Sequence, residues 1–192
     1  MSNNSWYDMS ILDKNINNNE KVIVKEMIDK NKNKNKLNDK WVLWCHDIKD
    51  SNWGKDSYIK VYSFDTIEDF WKLYKNLNSI DNIMLFLMKD GIFPLWEDDK
   101  NRNGGAWSYK IKKNQNFDIW KNLSMSLVGG WITDDNQLYS DITGISINPH
   151  LFTSVVKIWC SNNKHKDNIK LLNKFKFIGD LEPIYKIHNL TY

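Results

Sequence analysis

Hydrophobic and polar positions fall into short segments from Leu37 onward. Trp41-Val-Leu-Trp44-Cys45 and Tyr58–Phe64 are dense in aromatic and β-branched residues and bounded by polar turns, which predicts β-strands. Ile83–Lys89, Trp107–Lys112, Leu138–Ile147, Val155–Cys160 and Ile184–His188 carry the same signal. Helical spacing enters at Ile67, Phe70, Trp71, Tyr74 and Leu77, where Asp65 or Thr66 can cap the first turn and Asp69 completes a capping box with Thr66. Phe117–Val128 repeats the helical signal and stops at Gly129-Gly130, and Asp167–Phe177 predicts a third helix ended by Gly179. Asp90-Gly91 is a turn, and Phe93–Gly105 is loop-like. Strands and helices alternate irregularly, with neither a βαβ repeat nor nucleotide-fingerprint glycines. The pattern predicts an α+β fold with helices on one face of an antiparallel sheet.

Composition changes the picture at the N-terminus. Residues 1–36 are rich in Asn and Lys and close on Asn31-Lys-Asn-Lys-Asn-Lys36, too polar to bury a core, so they are expected to form a flexible leader before a domain over 37–192. Within the leader, Glu20–Asp29 suits a short helix or strand, and Trp6 is either a docking anchor or an ordinary tail residue. The opening MSNNSWYDMS lacks a secretory signal and no apolar run reaches the ~18 residues of a membrane span, so a cytoplasmic setting is expected. Cys45 and Cys160 then read as reduced thiols.

The 192 residues carry a net charge of +3, and seven Lys against five Asp/Glu place +2 of it in residues 1–36. The remaining +1 is too little for a protein gripping many phosphates along a duplex, and Arg102 is the only arginine. Enzyme and metal signatures fail in turn. Asp99-Lys-Asn101-Arg-Asn103-Gly104 begins like a calcium loop, but Lys110 stands where the bidentate Glu is needed. The four histidines share no ligand spacing with either cysteine, no nucleophile elbow is present, and Gly104-Gly105 reads better as a tight turn than as a phosphate cradle. No catalytic residue and no cofactor is expected.

Tryptophan is the abundant chemistry: ten, beside eight Tyr and eight Phe. Trp53 and Trp96 lie in polar loops, Asp50-Ser-Asn-Trp53-Gly54-Lys and Phe93-Pro-Leu-Trp96-Glu97-Asp-Asp. Two such indoles could sandwich a flat cationic ring, with Glu97 accepting from a guanine-type N1–H and amino edge. From spacing alone, a stacking site and ordinary packing are both consistent.

Trp41-Val-Leu-Trp44, Asn52-Trp53, FDTIEDFWKLY, KDGIFPLWEDDKNRNGGAW, Trp120 and Lys157-Ile-Trp159 together resemble the translation initiation factor 4E family, the messenger-RNA cap-binding proteins. The eight tryptophans typical of that family have counterparts at 41, 44, 53, 71, 96, 107, 120 and 159, and Trp6 and Trp131 are extra. The resemblance implies a cupped α+β domain: a curved antiparallel sheet of about eight strands with three helices on its convex face. It implies that Trp53 and Trp96 sandwich 7-methylguanine, that Glu97 reads the guanine edge, and that Trp159 lies against the N7 methyl. The protein would bind without catalysis and recruit capped messenger RNA to initiation.

Departures from the family pattern concern the phosphates first. Ala106 stands where the resemblance implies an arginine, and His150 and Val155 where it implies two further basic residues. Lys157 is one replacement, on the same strand face as 155 and 159, although a solvent-facing Lys157 is equally consistent; His150 itself and Arg102 are others. On the opposite surface, Trp71 and Ile67 match the site that takes a Y-x-x-x-x-L-φ helix from a scaffold factor of the 4G type or a 4E-binding repressor. There Lys121 replaces a leucine and Asn122 a glutamate, with Met125 and Val128 as milder changes. The alternative function is therefore a cap-binding repressor or competitor that does not engage the usual scaffold.

Overall fold

A computed structural model describes residues 35–77, 79–167 and 182–188. Packing divides the chain into two units, Met1–Lys36 and Leu37–Tyr192, and the fold below is that of the second. The expected features at Trp6 and Glu20–Asp29, and nearly all of the helix expected over Asp167–Phe177, lie outside the described residues.

Seven strands form one sheet: β1 (Lys36–Asp47), β2 (Ile59–Thr66), β3 (Ile83–Lys89), β4 (Gly105–Lys112), β5 (Ile142–Pro149), β6 (Thr153–Cys160) and β7 (Ile184–Ile187). Their spatial order is β2-β1-β3-β5-β6-β4-β7. The pairings β1/β3, β3/β5, β5/β6, β4/β6 and β4/β7 are antiparallel, as the fold class requires. This is one strand fewer than the eight expected, counted among the described residues.

One of the strands also starts later than its composition predicts, for a local reason. Leu138–Asp141, expected as the start of a strand, belongs to a short helix over Asn136–Asp141. The Asp135 carboxylate accepts from the backbone N–H groups of Gln137 and Leu138, both at 2.9 Å, and this cap outweighs the strand-like composition. The strand begins only at Ile142.

The helices are α1 (Ile67–Asn76), α2 (Asn116–Val128) and α3 (Asn136–Asp141). Thr66 caps α1 by accepting from the Asp69 N–H at 3.2 Å, half of the expected capping box. Four-residue spacing then sends Phe70 and Tyr74 into the core and leaves Ile67 and Trp71 outside. α2 ends in a Schellman motif: Trp131 N–H reaches Ser126 O at 2.8 Å, Gly130 N–H reaches Leu127 O at 3.2 Å, and Gly130 takes φ +78°.

Strand alternation separates the two faces. Trp41, Leu43, Cys45, Leu85, Leu87, Trp107, Tyr109, Ile111, Val156, Ile158 and Cys160 pack with Phe70, Tyr74, Trp120, Leu123 and Leu127 in the main core under the helices. The opposite positions, including Met84, Phe86, Met88 and Trp159, form a smaller cluster on the open face with Tyr58, Trp44 and Phe93. Both cysteines are buried and unpaired. Gly104 closes the expected turn, its N–H reaching Asn101 O at 2.9 Å, and both glycines also make close approaches between strands. A Cβ at Gly104 would lie 1.7 Å from the Cys160 carbonyl oxygen, and one at Gly105 2.5 Å from that of Lys186.

Candidate functional site

The open face carries a continuous series of rings. Trp53, 52% exposed in the β1–β2 loop, stacks on His46 of β1 with centroids 4.5 Å apart and planes within 3°. His46 meets Tyr58 at 4.8 Å, Tyr58 meets Phe86 at 5.5 Å, and Phe86 meets Trp159 at 6.3 Å. Trp159 then meets His188 at 5.0 Å, and His188 stacks on Trp96 at 5.7 Å and 8°. The two loop indoles thus stand at opposite ends of one aromatic floor, each set nearly parallel to a buried imidazole.

The imidazoles are held the same way. His46 Nε2 bonds to the Asn52 carbonyl, and His188 Nδ1 to the Asn101 carbonyl, both at 2.8 Å. A carbonyl only accepts, so these nitrogens carry the protons, and the buried Nδ1 of His46 and Nε2 of His188 are left without a hydrogen-bond partner. A second proton on His188 would bury a charge and an unsatisfied N–H. Its pKa is accordingly lowered, chiefly by burial; the bond to the Asn101 carbonyl opposes this next, the Lys157 ammonium adds to the lowering, and Glu97 opposes it least.

Trp96, 38% exposed, belongs to a loop fixed by side-chain bonds. Asn101 Nδ2 donates to Phe93 O at 3.0 Å and Leu95 O at 2.9 Å, and Asp98 accepts from the Phe93 N–H at 3.1 Å. Glu97, next to Trp96, is exposed. Trp159 is only 2% exposed, and its Nε1–H donates to Ser146 Oγ at 2.9 Å. It therefore serves here as part of the floor beneath His188.

Among the cations expected from sequence, Lys157 joins the site. Its Nζ lies 5.4 Å from the centroid of Trp96, and burial, followed by repulsion from Lys186, lowers its pKa. Arg102 is exposed and directs its guanidinium to Asp99 at 3.4 Å. His150 is exposed at the β5–β6 turn, where its backbone N–H donates to Thr153 O at 2.8 Å. Sequence reasoning did not single out His46, His188 or Lys186. An alternation count from the Trp159 face would have reached Lys186 only with the β4/β7 register known.

On the helical side, Trp71 is 44% exposed beside Ile67, and the Lys121 ammonium lies 5.6 Å from the Trp71 ring centroid. Met125 is half-buried, and Val128 is packed into the core at 4% exposure, so the accessible surface comes from Ile67, Trp71 and Met125. Among the described residues, no group of three or more His, Cys, Asp or Glu side chains is placed to hold a metal ion, and no helix is long and apolar enough to cross a membrane.

Comparison with known proteins adds three findings. The family model for "Eukaryotic initiation factor 4E" matches residues 36–191. The Xenopus laevis eukaryotic translation initiation factor 4E is 31% identical over 144 residues, which cover 71% of this chain and 66% of that protein, just under two thirds of its length. Among solved structures, C. elegans eIF4E-3 in complex with the 4E-binding protein Mextli and cap analog superposes with a TM-score of 0.71 at 26% identity, covering 80% of this chain and 92% of that one. Ascaris suum eIF4E-3 with the m2,2,7G cap gives a TM-score of 0.69 at 26% identity, covering 82% and 93%.

Proposed function

From the premise that this chain belongs to the eukaryotic initiation factor 4E family, we propose that it binds the 7-methylguanosine 5′ cap of messenger RNA and recruits capped RNA to the initiation machinery in the cytoplasm. The observation that carries this is the aromatic floor joining Trp53 to Trp96, with the acidic Glu97 at one end. Similar proteins have been solved with cap analogs and with a 4E-binding protein, and the fold is shared. Trp53 and Trp96 stack the methylated base from its two sides, and Glu97 accepts from its N1–H and amino groups. Methylation makes the base cationic, so the indole faces and the carboxylate both favour it over plain guanine. Trp159 backs the site. Lys157, with His150 and Arg102 further out, meets the phosphates that follow the base. The cap-binding domain spans 37–192, with 1–36 as its leader.

Tryptophan-fluorescence titration with 7-methyl-GTP, 7-methyl-GMP and GTP tests this. Quenching by the methylated nucleotides alone, lost in Trp96→Ala and weakened in Glu97→Gln, is the expected result. Equal response to GTP and 7-methyl-GTP would refute cap recognition.

The second function, a cap-binding repressor that leaves the usual scaffold unengaged, is favoured by one contact. Lys121 occupies the face of Trp71 that an apolar helix would cover. Pull-down with a Y-x-x-x-x-L-φ peptide, with Trp71→Ala as control, separates the two.

A further inference from the structure

The helix side of the domain leaves an apolar face uncovered. Ile67 and Trp71 stand exposed one turn apart on α1, and half-buried Met125 lies one turn beyond Lys121 on α2. The Lys121 ammonium, 5.6 Å from the Trp71 ring centroid, forms no ion pair among the described residues. The domain also begins on this side. Leu37 packs against the core under the helices, and the Asn38 amide lies 3.3 Å from where a Cβ on Gly130 would stand, just past α2. Met125 is the turn before that point, its carbonyl accepting from the Gly129 N–H at 3.0 Å.

Residues 1–36 carry a segment that the cap site does not use. In Trp6-Tyr7-Asp-Met-Ser-Ile11-Leu12-Asp13, Tyr7 and Leu12 stand at the Y-x-x-x-x-L spacing. Ser5 with Asp8 three residues later is a helix-start signature, and Tyr7 and Ile11 fall one turn apart, so the sequence predicts a short helix with an apolar anchor at each end. The same spacing recurs at Tyr185 and Leu190, but Tyr185 belongs to β7 and packs on Trp107 with centroids 5.0 Å apart. The segment departs from the full motif at Asp13, where an apolar residue belongs, and the face departs at Lys121, where a leucine belongs. The two departures carry opposite charges. An apolar final residue would desolvate the ammonium without compensation, whereas a carboxylate pairs with it. Residues 13–36 are long enough as a tether: taken as a coil they span roughly 27 Å and supply an effective concentration on the order of millimolar.

We propose that Trp6–Asp13 is a ligand that this chain carries for its own Trp71 face: Tyr7, Ile11 and Leu12 cover Ile67, Trp71 and Met125, and Asp13 pairs with Lys121. A scaffold or repressor helix must displace it, so the segment decides which partners are admitted. The proposal rests on the reading that this face takes Y-x-x-x-x-L-φ helices, and adds to it an occupant and a means of regulation.

The test uses the full chain, wild type and Tyr7→Ala/Leu12→Ala, with two labelled peptides followed by fluorescence polarisation: a Y-x-x-x-x-L-φ peptide and a peptide of residues 1–18. A segment that binds at about 0.1 mM, held at about 1 mM by its tether, fills the face about ten to one. The wild type should therefore bind the Y-x-x-x-x-L-φ peptide about tenfold more weakly than the double variant does. Asp13→Lys alone should release part of that block. The 1–18 peptide should bind the double variant and fail to bind once Trp71→Ala is added. Equal affinity of wild type and double variant for the Y-x-x-x-x-L-φ peptide would overturn the proposal, as would 1–18 binding that is absent or indifferent to Trp71→Ala. Should neither protein bind the Y-x-x-x-x-L-φ peptide, the scaffold reading fails separately. The 1–18 peptide then decides alone: Trp71-dependent binding supports the proposal, and any other result overturns it.

Discussion

His188 gives the sharpest test of how the site is built, because one side chain sets the plane of Trp96 and carries a titratable group. It stacks on Trp96, tilts against Trp159, and donates to the Asn101 carbonyl in the loop that carries the indole. Truncation in His188→Ala removes a ring pair worth about 0.5–1.5 kcal/mol. It also removes a hydrogen bond worth about 0.5–1.5 kcal/mol. If both terms serve to hold Trp96 ready, about 2 kcal/mol is lost, or roughly 30-fold in affinity for 7-methyl-GTP. His188→Phe keeps the flat ring and should lose far less. The pH dependence follows from the lowered pKa. A histidine that resists protonation when folded binds fewer protons there than in the unfolded chain, so its contribution is present above its ordinary value of 6.5 and is lost as pH falls below it. Protonation would also set a cation beside Lys157 and the cationic base. Wild-type folding stability should therefore fall as pH drops below 6.5, affinity should follow only at the lower pH where the folded imidazole protonates, and the Phe variant should lose that part of both falls. Titrations by tryptophan quenching across this range, with far-UV circular dichroism to verify folding, make the measurement. Wild-type affinity in His188→Ala, or a full pH response retained in His188→Phe, would refute the positioning role.

Other consequences are equally direct. Gly104→Ala puts a Cβ where the Cys160 carbonyl lies, so β4 must separate from β6; a loss of about 3 kcal/mol in denaturant unfolding is expected, with the cap response weakened. Asp141 accepts from Lys164 at 2.9 Å and His165 at 2.7 Å, and although burial alone would raise its pKa, these bonds hold it well below its ordinary 3.8. Its stabilisation is present above that pH and lost as pH falls below it, so Asp141→Asn should lower thermal stability at pH 7 and narrow the gap to the wild type under acid. Lys121→Leu clears the face of Trp71 and should raise affinity for a Y-x-x-x-x-L-φ peptide severalfold by fluorescence polarisation, while Trp71→Ala abolishes it.

Much of this molecule is legible in one dimension because its elements follow local rules. A strand-sized apolar run marked β3 at Ile83–Lys89 to the residue, and the Thr66 cap with four-residue spacing marked α1. The glycine pair after Val128 marked the end of α2, and the chemistry of Trp53, Trp96 and Glu97 was visible as aromatic and acidic residues in polar loops. Local rules failed at Leu138–Asp141, where one carboxylate cap overrides strand-like composition, and told only half of Gly104-Gly105, where Gly104 closes a turn and neighbouring strands also leave no room for a Cβ. His46 and His188 are 142 positions apart in the chain and become equivalent only when folding lays each beneath a loop indole. Lys186 and Lys157 likewise meet only through the register of β4 with β6 and β7. Element type and residue chemistry depend on neighbours along the chain, so sequence alone determined them. Which rings stack, which imidazoles lie beneath the loop indoles and which lysines share a face depend on strand order and burial, and only the tertiary structure decided those.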